Sequence, residues 1–265
     1  MIRGQVCRND GLEDSDMEKD EVFGAKTKVL NRDVIKYIAM ITMMLNHIAH
    51  MFLAPETVLY EVFEDVGYFT APVMCFFLVE GYSYTRSKIN YGLRLLLFAL
   101  ISQIPFKLAF YFGSFNMIYT LLCCFLILAA MDKIENRLLR IIVCTLLVFA
   151  TAVGDWPLIA PIYTILFYCS KGNGKKNALS FLAAYAMFVP FNAQNYVYGV
   201  PGDRTLYVIG HTLLSGAGIL AAAVMILFFY NGKRAEHGRN FSKWFFYIFY
   251  PAHLMVLYLI KVYII

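Results

Sequence analysis

Charged residues are scarce in this chain. Asp, Glu, Lys and Arg together make up 15% of its 265 residues, whereas hydrophobic residues make up 60%. Soluble domains contain about 45–50% apolar residues, and the mean hydropathy here is +0.60. This composition excludes a separate soluble catalytic domain and indicates that most of the chain lies in a membrane.

The sequence also lacks the residue spacings of a metal site. Its six cysteines form no Cys-x-x-Cys pair and no Cys/His ligand set, so we interpret them as small buried hydrophobic residues. Two histidines in the first apolar run have no obvious carboxylate partner, and a zinc site needs three or four ligands. We therefore expect no metal ion. The net charge of +5 follows the membrane topology described below, so we expect no nucleic-acid partner.

Nine apolar runs fill the chain from residue 34 onward. A transmembrane helix needs roughly 20 residues, or fewer where the bilayer is thinner. The runs therefore predict an all-α, polytopic transmembrane helix bundle of about nine spans, formed by residues 33–265. Residues 1–32 are polar and mixed in charge, which predicts a disordered cytoplasmic tail rather than a signal peptide. The predicted spans are residues 34–53, 66–85, 91–112, 117–131, 138–153, 156–170, 178–191, 205–230 and 244–264.

The distribution of Lys and Arg over the loops predicts the orientation. If the N-terminus is cytoplasmic, the segments on the inside carry 20 of the 23 Lys and Arg residues, and the segments on the outside carry 3. Inner loops of membrane proteins are enriched in these residues. We therefore expect a multi-pass protein of the cell membrane, with its N-terminus inside and its C-terminus outside.

Two histidines inside the predicted spans are candidate catalytic residues. An ionisable group at the centre of a transmembrane helix costs about 2.5–3.5 kcal/mol, so it is a functional candidate by default. His47 lies in the first span, past mid-membrane toward the outside, and a buried neutral imidazole suits general acid–base catalysis. His253 follows Pro251 in the last span and shares a helical face with Tyr250. For both histidines the alternative is a structural hydrogen bond.

Other polar residues inside the spans also have both a functional and a structural interpretation. Glu80, near the inner end of the second span, must be protonated, paired or hydrated, and Arg94 is a possible partner. Gln103 lies near mid-membrane, where it could bind the donor or satisfy the backbone freed by Pro105. Asp155 lies in an outer turn, where it could orient a histidine or simply stabilise the turn.

Basic residues of one inner loop could bind phosphates. Arg86, Lys88 and Arg94 surround the inner loop between the second and third spans. Arg and Lys near a pocket mouth would suit a donor that carries phosphates, such as a coenzyme A thioester. The alternative is that these residues only reflect the enrichment of positive charge on the inside.

Three ordered stretches carry a resemblance to a known family. They read KYIAMITMMLNHIAHMFL, PVMCFFLVEGYSYTRSKINYGLRLLLFALISQIPF and KWFFYIFYPAHLMVLYLI. Together they resemble the TraX family of conjugal-transfer membrane proteins, which is similar to multi-span membrane acyltransferases. The family's namesake is described as acetylating the N-terminus of the conjugative pilin. The resemblance implies transfer of an acetyl group from acetyl-CoA to an amine or hydroxyl at the membrane, and it does not imply the same acceptor.

The resemblance also assigns functional positions. Carried over residue by residue, the family's site positions are His47, Glu80, Arg94, Gln103 and His253. The family pattern often has an Asp before the first histidine, but this chain has Asn46 there. An Asn orients an imidazole but does not stabilise an imidazolium as a carboxylate does. If a His–carboxylate pair is needed, the acid must come from elsewhere, and Asp155 is the candidate.

The leading hypothesis is a membrane acetyltransferase that takes its donor from the cytoplasm. His47 acts on the acceptor as general base or carries the acetyl group transiently, and His253 with Tyr250 positions the acceptor or supplies a second acid–base group. The acceptor stays open among a peptide N-terminus, a glycan and a lipid. One alternative is a small-molecule transporter or channel, which also uses intramembrane polar residues and broken helices. The other is a non-enzymatic assembly factor whose polar residues hold helices together.

Overall fold

The chain is helical throughout the part that the structure, a computed structural model, describes: residues 28–55, 57–110, 113–197 and 205–264. Within these ranges the only strand-like pairings are two isolated bridges. The α-helices are Arg32–Phe52 (α1), Val58–Gly67 (α2), Thr70–Tyr84 (α3), Lys88–Phe110 (α4), Met117–Lys133 (α5), Arg137–Ala150 (α6), Ile159–Ser170 (α7), Gly174–Val197 (α8), Thr205–Ser215 (α9), Ala217–Val224 (α10) and Arg239–Tyr263 (α11). The predicted all-α class is confirmed.

The number of full-length spans is smaller than the sequence predicts. In the described ranges, the segments long and apolar enough to cross a membrane are Val58–Tyr84, Lys88–Phe110, Val208–Phe229 and Arg239–Tyr263. Helix α7 has 12 residues, or about 18 Å, which is shorter than a hydrocarbon core of about 30 Å. The structure therefore confirms that this part of the chain is helical, and four segments of the described ranges are candidate membrane spans. The predicted number of nine spans is not confirmed. The orientation stays a prediction.

Apolar side chains on the outer helices face away from the protein. Helix α6 buries none of its side chains, and Leu146 on α6 and Leu100 on α4 are each 64% exposed. Large aromatic residues, among them Phe77, Tyr163 and Phe181, are instead buried inside the bundle. Exposed apolar surface of this extent has to be covered by something other than water, and lipid covers it in a membrane protein.

The predicted span 66–85 is a broken helix in the structure. Helix α2 ends at Gly67, and α3 begins at Thr70. Three acidic residues between the first two predicted spans, Glu61, Glu64 and Asp65, lie on α2 rather than in a loop. At the break, the backbone of Gly218 on α10 packs directly against the backbone of Asp65 and Phe69. Hydropathy does not register such a break, because the apolar character of the segment continues through it.

The predicted span 205–230 is also interrupted. A turn at Gly216 separates α9 from α10, and a π-helical segment, Met225–Phe229, follows α10. The predicted sixth span, 156–170, begins later than expected, because Trp156 and Leu158 have positive φ angles and α7 starts at Ile159.

Five of the prolines in the predicted spans fall into two groups. Pro105, Pro190 and Pro251 lie inside helices. Pro72 and Pro161 lie in the first turns of α3 and α7, where the missing N–H has no partner to lose. Only the first group therefore removes a hydrogen bond from the interior of a helix, and the three helices continue through these prolines.

The segment before α1 is held against the loop that follows the π-helical segment. The Leu30 N–H donates to the Phe229 carbonyl at 2.9 Å, and the Asn231 N–H donates to the Leu30 carbonyl at 2.9 Å. Helix α1 begins at Arg32, so the last residues of the predicted tail are part of the fold. The remainder of that tail, residues 1–27, lies outside the described residues.

Gly218 should be required for the close packing of α10 on the α2–α3 break. A Cβ at this position would overlap the Asp65 carbonyl oxygen and lie 2.7 Å from the Phe69 nitrogen, and backbone cannot move aside as a side chain can. We expect Gly218→Ala to destabilise the protein by about 1–3 kcal/mol, measured as a lower thermal unfolding temperature in detergent.

Gly210→Ala is the matched control, because no neighbouring atom lies within 4 Å of the position that a methyl group would take on this helical glycine. Alanine is favoured over glycine in a helix by up to about 1 kcal/mol, so this variant should keep or slightly raise the unfolding temperature. Equal unfolding temperatures for the two variants would contradict the packing interpretation.

Candidate active site

A basic cavity of about 770 Å³ opens among α1, α3, α4, α11 and the loop before α11. Its volume lies within the range of about 300–1,000 Å³ that is typical of small-molecule sites. Its lining contains two acidic residues, Asp33 and Glu80, against six basic ones. The basic residues are Arg32, Lys36, Arg86, Arg94, Arg234 and Lys243. We call this space the inner cavity, and its excess of positive charge suits an anionic ligand.

Three charged side chains of the inner cavity have buried atoms without a partner. Arg32 Nε, Arg94 Nε and Glu80 Oε2 make no hydrogen bond to any described residue. Arg32 is only 9% exposed, and its nearest acid, Asp33, is 3.8 Å away. The other Glu80 oxygen, Oε1, accepts a hydrogen bond from the Tyr230 hydroxyl at 2.6 Å. Burying polar atoms of charged side chains without partners is costly, and the side chains that bear these atoms line the inner cavity.

A second cavity of about 330 Å³ contains His47 and Asp155. We call it the outer cavity. Asp155 lies in the turn between α6 and α7, where burial raises the pKa of its carboxyl to about 6 and a hydrogen bond from the Trp156 N–H opposes that rise. The aromatic lining includes Phe110 and Trp156. The outer cavity therefore combines two imidazoles, those of His47 and His50, and one carboxyl group within largely apolar walls.

A short polar contact joins His47 and His253. His47 Nδ1 and His253 Nε2 are 2.8 Å apart, although the residues are 206 positions apart in the chain. The ring planes differ by 4° and the ring centres lie 5.0 Å apart. With the two nitrogens so close, this geometry means that the rings meet edge to edge in nearly one plane. Each histidine is 7% exposed, and the pair joins α1 to α11.

The two cavities share part of their walls. Met43, Thr70 and Met117 line both of them. The Thr70 hydroxyl donates to the Ala39 carbonyl at 2.9 Å, which holds α3 against α1. The Tyr250 hydroxyl accepts from the Met117 N–H at 3.4 Å and lines the inner cavity. The flexible methionine side chains and one threonine therefore separate the basic cavity from the histidine.

The structure brings together most of the site residues expected from the sequence. Glu80, Arg86, Arg94 and Tyr250 line the inner cavity. His47 and Asp155 line the outer cavity. His253 reaches the site through its bond to His47 rather than through either cavity wall.

Two of the expected donor-binding residues lie elsewhere. Lys88 lines neither cavity, and its ammonium group is 2.6 Å from the carboxylate of Asp132. Gln103 also lines neither cavity. It donates to the Ser114 carbonyl at 3.0 Å, and its oxygen accepts from the Asn116 side chain at 2.7 Å. Neither side chain is therefore positioned to bind a ligand in these cavities.

Neither candidate partner of His47 hydrogen-bonds to it. Asn46 points its amide toward the Glu64 carbonyl at 3.4 Å and packs beside Gly67. Asp155 lines the same cavity as His47, but no hydrogen bond joins the two among the described residues. The place that a carboxylate would take beside the imidazole is filled by His253.

Sequence reasoning missed four of the six basic residues that line the inner cavity. Arg32, Lys36, Arg234 and Lys243 line the inner cavity, but in the sequence they serve only as markers of the inner side. Their shared signal is their position at the inner ends of the first and last spans. Helix contacts were needed to show that these ends meet.

No metal site accompanies the histidine pair in the part of the chain that the structure describes. There, no three His, Cys, Asp or Glu residues lie close enough together to hold a metal ion.

The fold and site define a helical membrane protein with a buried histidine pair between a basic cavity and an apolar one. The family model described as TraX protein matches residues 31–261, and the chain belongs to the TraX family. It is similar to the probable fimbrial assembly protein FimC, serogroup H1, of Dichelobacter nodosus. The two are 31% identical over 236 residues, which cover 84% of this chain and 92% of that protein. No solved structure matches the chain.

Gln103 should support the fold. Gln103→Leu removes the partners of the Ser114 carbonyl and of the Asn116 N–H, and an unpaired buried polar group costs about 1–3 kcal/mol. We expect a lower unfolding temperature in detergent. Ile104→Ala, at a neighbouring side chain that is 65% exposed, is the control and should change stability by about 0.5 kcal/mol at most. An unchanged unfolding temperature for Gln103→Leu would contradict this role.

Proposed function

We propose that the protein is a membrane acetyltransferase that transfers an acetyl group from cytoplasmic acetyl-CoA to an amine or hydroxyl acceptor at the membrane. The observation that carries the proposal is the meeting of two unlike cavities at Met43, Thr70 and Met117. One cavity is basic and suits a phosphate-bearing donor. The other contains a buried imidazole that suits proton transfer.

The inner cavity supports the donor side of the proposal. Phosphate oxygens accept charge-assisted hydrogen bonds from arginine, and a bidentate pair is stronger than a single bond. Arg32 and Arg94 both line this cavity, and their guanidinium groups can supply such bonds. The inner cavity also lies where Lys and Arg predict the cytoplasmic side, which is the compartment that supplies acetyl-CoA.

The outer cavity supports the acceptor side. In the proposed reaction, His47 takes the proton of the acceptor amine or hydroxyl as its nitrogen or oxygen attacks the thioester carbonyl. The carbon–sulfur bond breaks, the coenzyme A sulfur leaves as thiolate, and the imidazolium returns the proton to it. Tyr250 lies beside both His47 and the shared wall, with its ring centre 6.2 Å from that of His47. It is therefore available to position the reacting groups.

The acceptor is a peptide N-terminus, a glycan or a lipid, reached from the outer cavity. A protein of the cell membrane with its N-terminus inside would take the donor on one side and modify the acceptor on the other.

A non-enzymatic assembly factor is the second candidate, and a specific observation favours it. The similar protein of Dichelobacter nodosus is named as a probable fimbrial assembly protein. In that case the polar residues of the bundle would serve helix packing. The two candidates differ in what loss of His47 does: an assembly factor loses abundance, whereas an enzyme keeps its abundance and loses turnover.

Donor binding should depend on the basic residues of the inner cavity. We expect Arg32→Gln and Arg94→Gln each to weaken acetyl-CoA binding about tenfold or more. A hydrogen bond to a charged group contributes about 1.5–3 kcal/mol, and each 1.4 kcal/mol is about tenfold in Kd. Calorimetry on the protein in nanodiscs measures the effect.

Arg137→Gln is the control for donor binding, because Arg137 is a basic residue on the same predicted side but is exposed and lines neither cavity. Its variant should bind the donor as the wild type does. A wild-type protein that is folded yet binds no acetyl-CoA would overturn the proposed function.

Turnover should require His47. We expect His47→Gln to lower acetyl transfer or thioester hydrolysis about 10²–10⁴-fold, which is the usual contribution of a general base, with donor affinity and abundance unchanged. Radiolabelled acetyl-CoA with the purified protein in nanodiscs detects both released acetate and labelled protein. The control is His237→Ala, because His237 is exposed in the loop before α11. Loss of abundance in His47→Gln with no donor turnover in the wild type would favour the assembly factor.

A further inference from the structure

We infer that His253 is a positioning residue: it holds His47 as the tautomer with hydrogen on Nδ1, so that His47 Nε2 is the base of the outer cavity. The role in catalysis rests on the proposed function, whereas the tautomer follows from the hydrogen bonds alone. The two tautomers can be assigned because one end of the chain of hydrogen bonds is a backbone carbonyl, which accepts hydrogen bonds and never donates them.

The tautomer of His253 is set by a backbone carbonyl. The Nδ1 atom of His253 lies 2.8 Å from the Phe249 carbonyl oxygen. A carbonyl oxygen accepts and never donates, so the hydrogen is on His253 Nδ1. In a neutral imidazole only one nitrogen carries hydrogen, and His253 Nε2 is then an acceptor.

The tautomer of His253 in turn determines the tautomer of His47. His47 Nδ1 lies 2.8 Å from His253 Nε2, so His47 Nδ1 must be the donor. The ring planes are within 4° of each other, which aligns the N–H bond of one ring with the in-plane lone pair of the other. A second hydrogen on His47 Nε2 would make the ring cationic.

The pair of His47 and His253 is neutral in the resting protein. Both rings are 7% exposed, and no carboxylate hydrogen-bonds to either ring among the described residues. The groups packed around the pair are the aromatic rings of Phe110, Phe249 and Tyr250. A buried cation without a counter-ion is costly in such surroundings, so the resting pair carries no charge.

The consequence is a base with its lone pair in a defined place. Nδ1 of His47 is committed to His253, no described residue hydrogen-bonds to Nε2 of this ring, and His47 is one of the residues that line the outer cavity. A histidine side chain free in water prefers the opposite tautomer, with hydrogen on Nε2. In serine hydrolases a carboxylate holds the catalytic histidine in the required tautomer, and here a second histidine performs that task without adding a negative charge.

The bond to His253 also bears on the protonated state. When Nε2 of His47 takes a proton, the Nδ1–H still donates to Nε2 of His253. Movement of the Nδ1 hydrogen across that bond would leave His47 neutral, with hydrogen on Nε2, and would put the positive charge on His253. The charge therefore stays within the pair.

Nuclear magnetic resonance of the wild-type protein tests the inference directly. Protein with ¹⁵N-labelled histidine is prepared in nanodiscs, and the His47 signals are assigned by their loss in His47→Gln. We expect the Nδ1 signal at the shift of a protonated nitrogen and the Nε2 signal at that of an unprotonated one. The opposite pattern in the wild type would overturn the inference, and this outcome does not depend on the folding of any His253 variant.

Variants then identify His253 as the cause. His253→Ala should move His47 toward the tautomer with hydrogen on Nε2, whereas His253→Gln, whose side-chain oxygen accepts a hydrogen bond, should preserve the Nδ1–H form. The matched control is Phe249→Ala, which removes the ring stacked on His253 but keeps the accepting backbone carbonyl. An unchanged His47 tautomer in folded His253→Ala would overturn the inference.

Kinetics separate the positioning role from a purely structural one. With acetyl-CoA as donor, His253→Ala should lower kcat about tenfold or more and leave the KM for the donor unchanged, and His253→Gln should recover much of the loss. Equal kcat values for the alanine and glutamine variants would overturn the catalytic part. The resonance experiment needs neither donor nor acceptor, so a protein that binds no acetyl-CoA would overturn the proposed function alone.

Discussion

Polar groups inside this bundle have little water to bind, so they find partners in the protein, and several of these partners lie in another helix. His47 on α1 meets His253 on α11, and Gln103 on α4 meets Asn116 at the start of α5. The Thr70 hydroxyl reaches the α1 backbone. The same hydrogen bonds that satisfy these groups also fix the positions of the helices relative to one another. The same contacts therefore determine both the geometry of the site and the packing of the helices.

The inner cavity departs from this rule. Six basic residues face two acidic ones there, and Arg32, Arg94 and Glu80 each have a buried atom without a partner among the described residues. Like charges gathered in one space repel one another. An anionic ligand would offset the repulsion among the six basic side chains, which is the physical basis of the donor site proposed above.

Hydropathy predicted the helical class well, because the apolar character of a segment belongs to its own residues. It predicted helix ends and breaks poorly. The turn between α2 and α3 and the turn at Gly216 lie within continuous apolar sequence. At the first of them, Gly218 of α10 packs against the backbone of Asp65, and contacts between distant segments have no signature in either segment alone.

The sequence by itself determined which side chains are chemically able to act: an ionisable group in an apolar run is visible at once, and His47, Glu80 and His253 were identified in this way. Only the tertiary structure decided their partners. It paired His47 with His253 across 206 residues rather than with Asp155, and it paired Lys88 with Asp132 outside the site. The reason is physical. Burial cost is a property of one residue and its neighbours in sequence, whereas a hydrogen bond depends on which helices the fold brings within about 3 Å of each other.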